Sequence, residues 1–433
     1  MPVEWIGEHV RVRPGGPARG SATLPGSKSL TNRFLGCAAL ADGVSVLRGV
    51  SFSDDVQAML GGLRKLGTRA DARVDQRALH ITGCGGNVIG DDVVIDVGNA
   101  GTAMRFLTGL SCLGQGRRRL DGSPRMRQRP IADLVGALTL LGARIGYDGV
   151  EGYPPLNVLA GGLSGGEVVL DRPPSSQFVS AVLMVAPYAA RDVLLRIEGT
   201  LVSRPYVDMT IDVMRSMGVE VIVGEDQTYI VPAWQRYRSG EFDVEPDASA
   251  ATYMWAAAAI TGGCVRVSGL TRTSRQGDAH FVEVLARMGC NVHEGESSMT
   301  VAAPSHGRLT GVSIDLNAMP DTVQTLAVVA LFAEGPTDVR NVANLRVKET
   351  DRLGALHAEL TRLGARVDLR EDGLTIHPPE RITPAEIGTY DDHRMAMSFA
   401  LAGLVADGIV IRDAGCVSKS FPDYFQALHD LTD

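Results

Sequence analysis

Residues 134–145 read LVGALTLLGARI: an apolar helical stretch closes at Leu141-Gly142 and passes directly into the strand-like Ala143-Arg144-Ile145. A glycine there can adopt the left-handed conformation that ends a helix, which frees the next residues to extend. The same signature recurs at Leu66-Gly67, Met217-Gly218, Met288-Gly289 and Leu363-Gly364. These glycines stand 75, 76, 71 and 75 residues apart, a spacing that marks an internal repeat. A sixth copy would end just beyond Asp433, so the stretch from Phe421 to Leu428 reads as its truncated helix.

Six α+β units divide into two domains of three. The boundary is expected after the polar stretch Arg236 to Pro246, giving one domain over 26–246 and another over 1–25 with 247–433. A strand from roughly Val10 to Leu24 should complete the second domain. Two chain crossings, near Pro25 and Glu245-Pro246, then form a hinge. A rigid solenoid is the plainer alternative, disfavoured because units this long each bury a helix without further stacking.

Composition narrows the function. The 433 residues exceed the ~250–300 at which one core stops growing. A net charge of −8 argues against nucleic acid as partner. Cys37, Cys84, Cys112, Cys264, Cys290 and Cys416 are scattered without a C-x-x-C pair, so neither a zinc knuckle nor a disulfide framework is indicated. No apolar run is long enough for a membrane helix, and Met1-Pro2-Val3-Glu4-Trp5 does not read as a signal peptide. A cytoplasmic, monomeric protein is expected.

Only Lys28, Lys65, Lys348 and Lys419 are lysines among 42 basic residues. Lys65 reads as a surface residue, whereas the others lie in unusual segments. PGSKSLTNR, residues 25–33, sets small residues and two cations at a helix start, the composition of an anion site. GNAGTAMR, residues 98–105, repeats that logic, as does the Ser175-Ser176-Gln177 cap. Arg125, Arg127 and Arg129 cluster before a helix with Pro130 at its first position. Lys348 and Arg352 are expected four apart on one helix face, neutralised by Glu349 and Asp351 or by an anionic ligand. Asp392-His393-Arg394 and Ser418-Lys419-Ser420 open further helices, with His393 in a capping or supporting role. Each segment alone is also an ordinary capped helix; together they put cations at similar phases of the repeat.

Through PGSKSLTNR, GNAGTAMR, PRMRQRP, SSQF, SRPYVDM, NLRVKETDR, GTYDDHRMAM and SKSFPDY, the chain resembles the 5-enolpyruvylshikimate-3-phosphate synthases of the enolpyruvyl transferase family. The resemblance implies an α/β fold of two similar domains, each of three βαβαββ units, forming an inside-out α/β barrel and closing on the substrates. It implies transfer of the enolpyruvyl group of phosphoenolpyruvate to the 5-hydroxyl of shikimate 3-phosphate by addition–elimination, with no cofactor and no metal. The implied partners are these two small molecules, with no nucleic acid and no membrane.

Carried over by motif, shikimate 3-phosphate would contact Lys28, Ser29, Arg33, Ser175, Ser176, Gln177, Ser203, Tyr206, Asp321, Asn344 and Lys348. Phosphoenolpyruvate would contact Lys28, Gly101, Arg129, Gln177, Arg352, Arg394 and Lys419. Glu349 would be the proton donor and Asp321 the base, with Lys28 able to share either role. Without the resemblance, Asp321 after Met319-Pro320 reads as a helix cap. The motif departs from the family where Arg105 is followed by Phe106 rather than proline, a bulk expected to shift the helix carrying Gly101 and Thr102. A sister transferase acting on UDP-N-acetylglucosamine is the nearest rival, but its active-site cysteine loop has no counterpart here. A non-catalytic metabolite sensor is the rival of another class.

Overall fold

The computed structural model describes residues 2–433. The chain forms two compact units, a continuous one over Gly26–Val244 and a split one made of the residues up to Pro25 with Glu245–Asp433. Among the described residues, no helix is long and apolar enough to cross a membrane.

Each unit holds three four-stranded sheets built to one plan. Val93–Asp96 pairs in parallel with Gly116–Asp121, which pairs antiparallel with Leu156–Ala160, itself antiparallel to Arg144–Tyr147. Gly166–Asp171, Val193–Glu198, Thr228–Val231 and Ile222–Val223 repeat the order. In the third sheet, Glu241–Asp243 returns from the end of the unit to lie parallel with Val44–Arg48. The split unit follows the same plan, and its last sheet takes both antiparallel strands from the N-terminus: Ile409–Ile411 pairs with His9–Val12, which pairs with Val3–Ile6.

The N-terminal segment is therefore not one strand over 10–24. It contributes a hairpin to the sixth sheet and a separate strand, Arg19–Ala22, to the sheet of Cys264–Ser268. Pro14 and Pro17 explain the break, since neither offers an N–H to a ladder.

The continuous unit contains α1 (Lys28–Leu40), α2 (Asp54–Lys65), α3 (Gly101–Leu110), α4 (Ala132–Leu140), α5 (Ser176–Val185) and α6 (Arg204–Ser216). The split unit contains α7 (Ala248–Thr261), α8 (Phe281–Arg287), α9 (Val323–Val329), α10 (Arg352–Arg362), α11 (His393–Gly403) and α12 (Tyr424–Thr432). The first helix of each repeat is buried on every side: all residues of α3, α9 and α11 are inaccessible. In the continuous unit α3 packs on α1 and α5; in the split unit α7, α9 and α11 pack pairwise. The strands alternate buried and exposed residues, so the sheets lie outside and the helices inside. Several of the expected site residues lie where these inner helices begin.

Three local expectations need correction. Lys348 does not share a helix face with Arg352: it ends a short 3-10 segment, Ala343–Val347, in extended backbone, and α10 begins only at Arg352, capped by Asp351. Pro130 lies outside α4, whose cap is Ile131, and Met126–Gln128 is itself a 3-10 turn. Lys419 closes a 3-10 segment, Ala414–Lys419, rather than opening a helix.

Candidate active site

In the continuous unit, the inner helices start without acidic residues in their first turns. Their free N–H groups therefore favour anions. Ser27 caps α1 by accepting from the Leu30 amide, and Ser175 caps α5 by accepting from the Gln177 amide. Lys28, first in α1, is paired with Asp55 at 3.0 Å, both side chains buried. Sequence reasoning missed Asp55, which stands in the first turn of α2.

Arg33 is held from three directions: it donates to Thr210 Oγ1 at 2.7 Å, to the Ser29 carbonyl at 2.9 Å and to the Tyr206 carbonyl at 2.9 Å. Burial lowers its pKa to about 10. Its guanidinium lies 5.4 Å from the Phe106 ring centroid and 5.9 Å from that of Tyr206. Phe106, where this sequence leaves the family motif, thus forms a buried aromatic floor under Arg33.

Gly101, Thr102, Arg129 and Gln177 come together at the start of α3. A β-carbon on Gly101 would lie 2.5 Å from Arg129 Nη2, so the guanidinium rests on the glycine. Gln177 Nε2 donates to Thr102 Oγ1 at 3.1 Å. Asp121, at the end of its strand, accepts two hydrogen bonds from Arg127, at 2.9 and 2.8 Å, and so ties down the turn leading to Arg129. Ser176 is buried, and Ser203 is buried in left-handed backbone at φ 57° ahead of α6. That conformation is uncommon for serine and accompanies functional sites.

In the split unit the inner helices begin with carboxylates. Asp392 caps α11, accepting from the Arg394 amide at 2.9 Å, and is delivered there by Tyr390 and Asp391, both at positive φ. The centre is Arg352, which is 1% exposed. It donates to Asp392 Oδ2 at 2.7 Å, Asp321 Oδ1 at 3.0 Å and Glu349 Oε2 at 2.9 Å. Burial works against its charge, but Asp392, Glu349 and Asp321 together raise its pKa. Arg394 donates to the other oxygen of Asp321 at 2.7 Å, and Lys419 Nζ lies 3.9 Å from Glu349 Oε1. Three carboxylates therefore face three cations.

Asn344 and Lys348 lie on the segment just before Glu349, Asn344 buried and Lys348 half-buried. His393 is fully buried, 3.7 Å from Asp392, which does the capping instead. Ser249, Tyr253 and Asp278 also surround Arg394 and escaped sequence reasoning. The repeat held a signal for the first of them: Pro246-Asp247-Ala248-Ser249 opens the inner helix equivalent to the other motif-bearing starts. The arrangement offers fixed cations for anionic groups and paired carboxylates for proton transfer.

A sequence model of the family described as EPSP synthase (3-phosphoshikimate 1-carboxyvinyltransferase) matches residues 12–428. Proteins named 3-phosphoshikimate 1-carboxyvinyltransferase from Yersinia pseudotuberculosis serotype O:3 and Vibrio vulnificus are 46% identical to this chain, covering 98% of it and 99% of their own length. A solved EPSP synthase from Acinetobacter baumannii matches with a TM-score of 0.79 at 27% identity over 98% of both chains. A second structure from that organism gives 0.78 at 26% identity over 97% of both. With a family match from residue 12 to residue 428 and relatives this similar from end to end, the chain belongs to the EPSP synthase family.

Proposed function

We propose that this chain is a 3-phosphoshikimate 1-carboxyvinyltransferase: it moves the enolpyruvyl group of phosphoenolpyruvate to the 5-hydroxyl of shikimate 3-phosphate and releases inorganic phosphate, in the shikimate pathway to chorismate and aromatic amino acids. Family membership supports the reaction. The observation that carries the chemistry is the bonding of Asp321 and Glu349, two carboxylates of opposite duty, to one buried arginine.

Addition requires a proton at the methylene carbon of phosphoenolpyruvate as the acceptor hydroxyl attacks the neighbouring carbon and loses its own proton. Elimination then removes a proton from the new methyl group as phosphate departs with the bridging oxygen. We assign proton delivery at the methylene carbon to Glu349 and removal of the hydroxyl proton to Asp321, with Lys28 able to share either role. Arg129, Arg352, Arg394 and Lys419, with Lys28, Gly101 and Gln177, would hold phosphoenolpyruvate, and fixed guanidinium groups would balance the charge that develops on it. Ser29, Arg33, Ser175, Ser176, Ser203, Tyr206, Asn344 and Lys348, with Lys28, Gln177 and Asp321, would hold shikimate 3-phosphate. The substrates are small and acidic, and the reading invokes neither nucleic acid nor membrane.

A coupled phosphate-release assay with both substrates tests the proposal. Turnover is expected in the wild type, with a loss of about 100-fold or more in Glu349→Gln, the usual size of a general-acid contribution. With the bridging oxygen of phosphoenolpyruvate labelled, the label should leave in phosphate. Label retained in the organic product would exclude addition–elimination.

A further inference from the structure

Asp278 lies outside every motif assigned to the reaction, yet it is buried beside Arg394. It sits on the short 3-10 segment Gly277–His280 and is 2% exposed. Its Oδ2 accepts a hydrogen bond from Ser249 Oγ, at the start of α7. Ser249 Oγ in turn lies 3.4 Å from Arg394 Nη2, the nitrogen that donates to Asp321 at 2.7 Å. The Tyr253 hydroxyl, one turn further along α7, receives Nη1 at 3.3 Å. A serine whose proton is committed to Asp278 Oδ2, an oxygen that can accept whether the carboxyl is neutral or ionised, has only lone pairs left for the arginine. The chain from Arg394 through Ser249 to Asp278 therefore runs in one direction.

We infer that Asp278, acting through Ser249, is a positioning residue that orients the Arg394 guanidinium for phosphoenolpyruvate. The inference rests on the reading of Arg394 as a phosphoenolpyruvate contact. The charges around Asp278 sharpen it. Asp321 faces it from the turn before α9, Arg394 from α11, and Asp247 with Ser249 from the start of α7. Burial first, then Asp321 and Asp247, against the opposing pull of Arg394 and Ser249, push its pKa up to about 7. The three cations of the network already face Asp321, Glu349 and Asp392, so ionised Asp278 adds negative charge where an anionic ligand must bind.

Steady-state kinetics of Ser249→Ala, Ser249→Thr, Asp278→Asn and Arg394→Lys, with both substrates varied and melting temperatures recorded, tests this. Ser249→Ala should raise KM for phosphoenolpyruvate about tenfold, the size of one hydrogen bond to a charged group, and leave KM for shikimate 3-phosphate within about twofold. Ser249→Thr, which keeps the hydroxyl, should recover most of the loss. The ratio of kcat/KM for phosphoenolpyruvate in Asp278→Asn to that in the wild type cancels substrate ionisation, and should rise as pH passes about 7. A flat ratio, an unchanged KM in Ser249→Ala, or an equal rise for both substrates would overturn the inference. Arg394→Lys separates the two failures. An unchanged KM there removes the reading of Arg394 and this inference with it, whereas a raised KM there with Ser249→Ala unaffected removes the inference alone.

Discussion

The face of Gly101 is occupied by Arg129: a β-carbon there would lie 2.5 Å from Nη2 and 2.8 Å from Cζ. Gly101→Ala must push the guanidinium aside without touching the acceptor residues. KM for phosphoenolpyruvate should rise about tenfold. An unchanged constant would show that Arg129 does not hold phosphoenolpyruvate. Asp278 makes a different prediction, in stability. Its carboxyl titrates near 7 in the folded chain but near 4 when unfolded. Between those values the unfolded chain has lost a proton that the native state keeps, so this residue's contribution to stability falls as pH rises through the window and is flat above it. In Asp278→Asn that fall is absent. Its stability relative to wild type should therefore improve from pH 4 to 7, by on the order of a few kcal/mol, and stay level beyond. A difference in melting temperature that is constant with pH would contradict the burial argument. Asp278 and Asp55 were illegible in the sequence for one reason: each is defined by a partner on another element, Ser249 or Lys28, and neither stands in a cation-bearing motif. Lys28, Arg129 and Arg352 were legible because helix starts and clustered cations are local features.

At the scale of elements, one capping device sets the repeat. After α2, α4, α6, α8 and α10 the Leu/Met-Gly pair is followed by two backbone bonds of the same form, such as Gly142 N–H to the Thr139 carbonyl at 2.9 Å and Ala143 N–H to the Leu138 carbonyl at 2.9 Å. This is a Schellman closure, and all five glycines hold positive φ, from 84° to 105°. The motif is legible because its chemistry is confined to six consecutive residues. It also separates strain from crowding. Gly289→Ala meets nothing nearer than 3.6 Å, so it should cost only the left-handed backbone penalty, about 1–2 kcal/mol. Gly142→Ala adds a contact of 2.5 Å with Ser164 Oγ and should cost more. Denaturant midpoints would check the order, and equal losses would mean that Ser164 yields freely. Where helical periodicity was extended past such a marker it failed. Asp351 accepts from the Gly354 amide at 3.1 Å and starts α10 there, so Lys348 falls outside the helix that its spacing from Arg352 suggested.

For the whole molecule, the repeat count left a sixth copy incomplete and pointed to the N-terminal segment to finish it, as one strand over 10–24 rather than the hairpin and separate strand that form. The hairpin joins the far end of the chain: Val10 and Val12 pair with Ile411 and Ile409, and both valines are fully buried. Burying those two side chains is worth roughly 3–6 kcal/mol, comparable with the whole stability of many domains. The junction is tight as well, since a β-carbon on Gly403 of α11 would lie 2.5 Å from Val12 Cβ. Trp5 stacks edge-on against Phe425 of α12 at 5.5 Å, so the hairpin and the last helix are neighbours. The order of the chain is then incidental to the split unit, whereas its contacts are not. Joining Asp433 to Pro2 through a short glycine-serine linker, and opening the chain in the exposed loop between His306 and Gly307, should give a permutant that melts cooperatively within a few degrees of the wild type. Deleting the residues up to Arg13 instead removes two of four strands from the sixth sheet and should abolish that transition in the split unit. A deletion that melts like the full chain would mean that α11 and α12 hold without the hairpin, and the sixth repeat would have to be counted as complete on its own.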